Sequence, residues 1–269
     1  MEARAWLRTM KARTLVRVWS QFGEPLWVVV NLAFPVFTSV AIALLYISAG
    51  LGAYTGFAVL GGVMTSFWGN VLWSMASQFN WDKQEGLFDV YLSSPASLTA
   101  ILIGMSVGGI VATAPAAFFT AVIGWALFHP VISASWGAVL ATFGLTLVSL
   151  YAMGMTLSSL YLVYGRAAES LNNMLQEPVS MLSGVYFPSV GSYSPFPLAV
   201  QAAASLIPLT IGMEALRYSL FSTEGFAAIW PYLAALAAMA AVLLAGAHYA
   251  LAILERKGRR DGGLTVRIR

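Results

Sequence analysis

The sequence predicts an all-α integral membrane protein with six transmembrane helices. The 269 residues are 59% hydrophobic and 9% charged, whereas an ordinary soluble domain is about 25% charged. So few charges cannot cover a water-facing surface of this size. Four stretches, 25–81, 90–165, 178–213 and 225–254, contain no Asp, Glu, Lys or Arg, and a membrane helix needs about 20 apolar residues. The apolar runs are long and do not alternate, which favours helices over a barrel. This composition excludes a soluble enzyme, a disordered regulator and a nucleic-acid-binding domain. There is no cysteine, and the two histidines, His129 and His248, lie far apart. A disulfide scaffold, a thiolate site and a catalytic metal centre are therefore not expected.

The chain opens with a basic segment, 1–24, that reads as an interfacial helix. Arg4, Arg8 and Lys11 share one face opposite Trp6 and Met10. Further on, Leu15, Val18, Trp19 and Phe22 form the apolar face opposite Arg13 and Arg17. The apolar face changes sides, which predicts a break or bend near Ala12–Thr14. Such a helix lies on the inner leaflet or on a cytoplasmic partner, or serves simply as a topology anchor. The apolar run after Pro25 is too long for a signal-peptide core and reads as a first span that stays in the protein.

The spans are expected at 26–48, 55–79, 99–128, 136–163, 168–187 and 230–253, so that 26–187 holds the first five and 254–269 forms a tail. Both termini are placed in the cytoplasm, because thirteen of the fourteen basic residues then lie inside, as the positive-inside bias requires. Arg217 is the exception. The setting is a plasma (inner) membrane, and the chain reads as one transmembrane domain.

Three segments are more than simple spans or turns. The loop 81–97, WDKQEGLFDVYLSSPAS, holds Asp82, Lys83, Glu85 and Asp89 around Gly86. It is long enough for a short helix ending before Pro95 and reads either as a docking surface or as a solvated loop. The outer stretch 188–229 is apolar but broken by Pro188, Pro195, Pro197 and Pro208, which predicts short re-entrant or interfacial helices. Within it Glu214 and Arg217 stand at i, i+3 and are expected to pair locally.

Polar residues recur inside two spans. Span five carries Asn173, Gln176, Glu177, Ser180 and Gly184 on one stripe, with Pro178 kinking the helix. Glu177 is the residue least expected at membrane depth, where a carboxylate faces a cavity or a partner helix. Span two carries Ser66, Asn70, Ser74, Ser77 and Gln78. Such stripes either glue helices together or line a pathway. Gly104 and Gly108 in span three suit close helix packing.

These features together resemble the membrane subunit of type-two ABC exporters. Gln84-Glu85-Gly86-Leu87 leading to Leu92-Ser93-Ser94-Pro95 is similar to that family's coupling-helix pattern. Leu182-Ser183-Gly184-Val185-Tyr186-Phe187-Pro188 is similar to its end of span five. Ile207-Pro208-Leu209-Thr210 followed by Glu214-Ala215-Leu216-Arg217 is similar to its outer segment, although Ile207 stands where the family usually has Asn. The resemblance implies a dimeric permease, homo- or heterodimeric. Two copies of a cytoplasmic ABC ATPase, which carry the ATP and Mg, would drive it by pushing on 81–97, with the N-terminal helix as a second candidate contact. Spans two and five would meet the partner permease along the pathway.

No cofactor is expected on this chain, which has no GxxxxGK[ST] phosphate loop. The weakly charged, aromatic-rich spans suit an amphipathic, lipid-like or drug-like cargo. Two alternatives from other classes are a proton-coupled secondary transporter using Glu177 and a membrane-embedded lipid-modifying enzyme. The first lacks an internal inverted repeat. The second lacks a nucleophile, base and metal cluster at one depth.

Overall fold

The computed structural model describes residues 2–94, 97–164, 167–191, 194–222 and 226–261. Helix α1 (Glu2–Phe22) precedes α2 (Pro25–Ser48), which begins with Pro25 in its first turn, where the missing N–H costs nothing. A 3₁₀ turn at Gly52–Tyr54 leads into α3 (Thr55–Gly69). This helix continues without interruption through a π-helical segment, Asn70–Ala76, into α4 (Ser77–Gln84). Then come α5 (Leu87–Ser93), α6 (Leu98–Phe128), α7 (Trp136–Tyr164) and α8 (Ala167–Leu182). The outer segment contains α9 (Leu198–Ala204) and α10 (Pro208–Phe221), and α11 (Phe226–Asp261) closes the order.

Among the described residues, four helices are long and apolar enough to cross a membrane: Pro25–Ser48, Leu98–Phe128, Trp136–Leu160 and Ala228–Leu254. The α9–α10 pair bends by 100° and counts as a broken span or a re-entrant loop. That bend agrees with the helices expected between the prolines, because Pro208 starts α10 and cannot extend α9.

The α3–π–α4 line is the centre of the bundle. Met64, Phe67, Trp68, Val71, Leu72, Met75 and Phe79, all buried, form one core with Leu98, Leu102 and Met105 of α6 and Leu150 and Met155 of α7. At Gly62 of α3, α2 and α6 both approach closely. A Cβ there would sit 2.6 Å from Ser39 Cβ and 2.9 Å from the Pro35 carbonyl oxygen, so a larger residue would force the helices apart.

Hydroxyls fasten α7 to α11. Ser149 Oγ lies 3.0 Å from the Leu236 carbonyl and Thr156 Oγ1 lies 3.2 Å from that of Leu243. Small hydroxyl residues suit helix contacts where lipid supplies no hydrophobic drive.

Helix α1 runs unbroken from Glu2 to Phe22, which corrects the break expected near Ala12–Thr14. Met10, Arg13, Thr14 and Arg17 face the bundle and lie in a groove of α6 made by Gly104 and Gly108. Thr14 Oγ1 is 2.9 Å from the Gly104 carbonyl. The opposite face is exposed throughout. It carries Arg4, Arg8 and Lys11 in the first half and Leu15, Val16, Trp19 and Phe22 in the second. The switch of apolar face is therefore a change of residue type along the exposed side of one helix, from basic to apolar, and not an interruption of it. The small glycines of α6 receive this amphipathic helix and not another span.

The ends of the bundle are distinct. Helices α1 and α5, the start of α6 and His248 of α11 lie together, with Thr99 Oγ1 3.2 Å from His248 Nδ1. At the other end the α6–α7 connection joins α10, Ser133 N–H donating to the Leu220 carbonyl at 2.9 Å.

Candidate functional site: the Asp82 junction

Asp82 sits in the last turns of α4 and is 1% exposed. A buried carboxylate is tolerated where donors surround it. Here three do. Arg13 Nη2 of α1 donates to Oδ2 at 2.8 Å, and the Tyr91 hydroxyl of α5 donates to the same oxygen at 2.9 Å. Gln78 Nε2, one turn earlier on α4, donates to Oδ1 at 2.7 Å. The Arg13 guanidinium also lies over the Tyr91 ring, 5.4 Å from its centroid, an attractive geometry for a cation. Burial, and then the Asp82 charge, pushes the Tyr91 phenol well above its ordinary range, so it stays protonated and remains a donor. One carboxylate thus joins three elements.

Beyond Asp82 the chain turns sharply. Gly86 takes φ +75°, a left-handed conformation that glycine adopts without the Cβ clash other residues meet. The turn projects Glu85, Gly86, Leu87 and Val90 to the surface, with Leu87 41% and Val90 59% exposed. Lys83 is half-buried. Five residues predicted as one group therefore divide: Asp82 is engaged inside the chain, while Glu85 and Gly86 face outward. The side chain of Asp89 lies outside the described residues, as do Pro95, Arg166 and the tail 262–269.

At the opposite end, Arg217 of α10 is buried. It donates to the Gly184 carbonyl and to Glu214 Oε2, the latter at 3.4 Å, and its guanidinium lies 5.1 Å from the Phe57 ring centroid. The pair expected from spacing forms, and Arg217 additionally ties α10 to the end of α8 and the start of α3. Tyr46 of α2 joins the same region, its hydroxyl donating to the Tyr186 carbonyl at 2.7 Å.

The two polar stripes have different surroundings. Asn70 Oδ1 accepts from the Tyr151 hydroxyl of α7 at 2.9 Å and packs beside Gly109 of α6. Ser66 returns its hydroxyl to the Gly62 carbonyl, and the buried Ser74 hydroxyl has no hydrogen-bond partner among the described residues. The helices that carry the stripes meet where Trp73 Nε1, in the π segment, donates to Gln176 Oε1 of α8 at 2.5 Å. π segments often mark functional positions in helices. Helix α8 runs on through Pro178. Glu177 is exposed on the single chain and accepts from the Tyr186 hydroxyl at 3.3 Å, while Ser180 is buried. The Asn173 side chain lies outside the described residues.

Sequence reasoning missed Arg13 and Tyr91 as partners of Asp82. Gln78, four residues before Asp82, carried a helical-spacing signal. Arg13 and Tyr91 carried none, because their contacts depend on how α1 and α5 pack.

A family model described as the ABC-2 type transporter matches residues 7–221, an interval that takes in α1, the Asp82 junction, the α9–α10 bend and Arg217. No curated protein matches the chain. The matched interval covers most of the sequence, and on that ground the chain belongs to the ABC-2 type transporter membrane family.

Proposed function

We propose that the chain is the permease subunit of an ATP-driven exporter, crossing the membrane six times with both termini in the cytoplasm. As an ABC-2 membrane protein it is multi-pass, and it does not hydrolyse ATP itself; in this family hydrolysis sits on a partner nucleotide-binding domain. The continuous run from Thr55 to Gln84 supports counting α3–α4 as a span. α8 with the turn that follows it supplies another. Segment 1–24 lies at the inner surface, 188–229 forms an outer re-entrant segment and 254–269 is a cytoplasmic tail.

The Asp82 junction is the observation that carries the mechanism. Two copies of a cytoplasmic ATPase, holding ATP and Mg, dock on 81–97 through Glu85, Gly86, Lys83 and Asp89. Force on α5 passes through Tyr91 and Asp82 into α4, and through Asp82 and Arg13 into α1. Because α4 continues span two, displacement of α5 rotates or shifts a helix at the centre of the bundle. A second permease copy, identical or homologous, packs against the exposed side of α8, where Met174 is 70% and Met181 47% exposed beside Glu177. Trp73, Gln176 and Glu177, with Ser66, Asn70, Ser74, Asn173 and Ser180 behind them, contribute to the interface and pathway. The cargo is amphipathic, lipid-like or drug-like.

Charge reversal at Glu85 in the reconstituted permease–ATPase complex tests this reading. Glu85→Arg is expected to leave ATP hydrolysis running while transport falls. Full transport by the isolated chain in ATP-free liposomes would overturn the proposal.

A further inference from the structure

A small cavity of about 50 Å³ opens where α1 meets the bundle, lined by Arg13, Val16, Arg17, Ser20, Gln78 and Met105. A water needs about 10–15 Å³ by the same kind of measure, so the space suits a compact polyatomic group. Its chemistry is cationic. The Arg13 Nη2 is committed to Asp82, but the Arg13 Nε is buried without a hydrogen-bond partner. Arg17, one turn on, forms no ion pair among the described residues. Its one side-chain hydrogen bond among the described residues, Nη2 to Gln21 Oε1, is 3.5 Å long, at the limit of a bond. The bare Gly108 accommodates the Arg17 stem, for a Cβ there would lie 2.7 Å from Arg17 Cβ. Burial, with the neighbouring Arg13 charge, lowers the Arg17 guanidinium from its ordinary value. A half-buried cation without an anion is costly and is relieved by binding one.

The position of the cavity points to the source of that anion. Along α1 the outward face changes from basic at Lys11 to apolar at Leu15, 59% exposed, and Val16, 55% exposed. Arg13 and Arg17 flank that change, and Val16 is both a cavity wall and an exposed apolar surface. Trp19, 77% exposed, extends the apolar face by one turn. A phosphate at this level has acyl chains beside Val16 and Trp19.

We infer that the Arg13–Arg17 cavity binds the phosphate of an anionic phospholipid from the leaflet on which α1 lies, with Arg17 as its principal ligand. Guanidinium forks match phosphate oxygens in shape and charge, and basic pockets at the membrane boundary take anionic headgroups. Arg13 then bridges two anions, Asp82 on one side and the lipid phosphate on the other, so the bound lipid braces the junction that connects α1 to α4 and α5.

The test uses the intact permease–ATPase complex in nanodiscs of phosphatidylcholine mixed with phosphatidylglycerol, with lipid retention read by native mass spectrometry after extraction. Phosphatidylglycerol is expected to be retained over phosphatidylcholine. Arg17→Gln is expected to lower that preference about tenfold, the effect of one lost charge-assisted hydrogen bond. Arg8→Gln, on the outward face of the same helix, is expected to leave it unchanged. Arg17→Lys, which keeps the charge while removing the fork, is expected to fall between wild type and Arg17→Gln and secures the test if Arg17→Gln does not assemble. Equal retention in wild type and in the Arg17 variants, or an equal drop in Arg8→Gln, overturns the site. In a further arm, inorganic phosphate is added to the delipidated complex, and protection of α1 from proteolysis is measured. Protection equal to that given by phosphatidylglycerol overturns the lipid assignment in favour of a free anion.

Discussion

The Arg13 guanidinium of α1 and the Asp82 carboxylate of α4 lie 2.8 Å apart, with the Asp82 side chain 2% exposed. They are far apart in sequence, and their contact closes the N-terminal helix onto the end of α4. Removing one member of a buried pair costs about 3–5 kcal/mol, whereas replacing both with apolar groups is often neutral. Asp82→Ala is therefore expected to destabilise the purified protein strongly. Arg13→Met combined with Asp82→Leu is expected to recover much of the loss. Thermal unfolding of the two single variants and the double variant measures the coupling.

The docking of α1 depends on Gly104. A Cβ at this position would lie 2.5 Å from the Met10 carbonyl oxygen, which is backbone and cannot swing aside. Gly104→Ala is expected to push α1 out of its groove, at about 1–3 kcal/mol for overpacking. A disulfide between cysteines introduced on α1 and α6 is expected to form in the parent and to weaken in Gly104→Ala.

Gly86 has φ +75°, and a Cβ added to it would meet no atom within 4 Å, so a side chain there suffers backbone strain but no clash. Gly86→Ala is expected to cost about 1–2 kcal/mol, and Gly86→Asn less, since Asn visits this conformation more readily. Because the turn aims α5, transport per ATP hydrolysed is expected to fall further in Gly86→Ala than in Gly86→Asn.

Arg217 holds three elements at the other end of the bundle. Arg217→Ala leaves Glu214, 9% exposed, without its cation and is expected to destabilise by about 3–5 kcal/mol. Glu214→Ala added to it is expected to restore part of the loss, without restoring the Gly184 and Phe57 contacts. Thermal unfolding of the single and double variants reads the difference.

Glu177 is exposed within one chain, and its hydrogen bond from Tyr186 is 3.3 Å. Glu177→Gln is expected to leave folding and ATPase association intact and to alter transport. Size-exclusion chromatography alongside a transport assay separates the two effects.

The divided fate of the 81–97 carboxylates shows how far local sequence reaches. Asp82 and Glu85 are three residues apart in the same acidic cluster, and composition treats them alike. The α-helix ends at Gln84 and Gly86 reverses the chain. Asp82 therefore points into α1 while Glu85 projects outward. The same limit applies to the stripes. The period of Ser66, Asn70 and Ser74 is readable, but their partners are not. Asn70 meets Tyr151, a residue 81 positions away, and nothing in either segment announces the other.

Local chemistry along the chain is enough to specify the membrane class, the helical content, the proline-bounded bend after α8, the Glu214–Arg217 pair and the position of the acidic turn. These follow from apolar run length, residue spacing and backbone preference, all of which act over a few residues. Packing across the bundle decides the rest: that α1 is one unbroken helix in a groove of α6, that Arg13 and Arg17 face inward, that Asp82 is a buried three-way junction and that Arg17 lines a cavity with no carboxylate partner among the described residues. Those outcomes depend on which surfaces meet. A helix's own residues limit what it can bury, but the identity of its neighbours sets which charge is satisfied and which is left open.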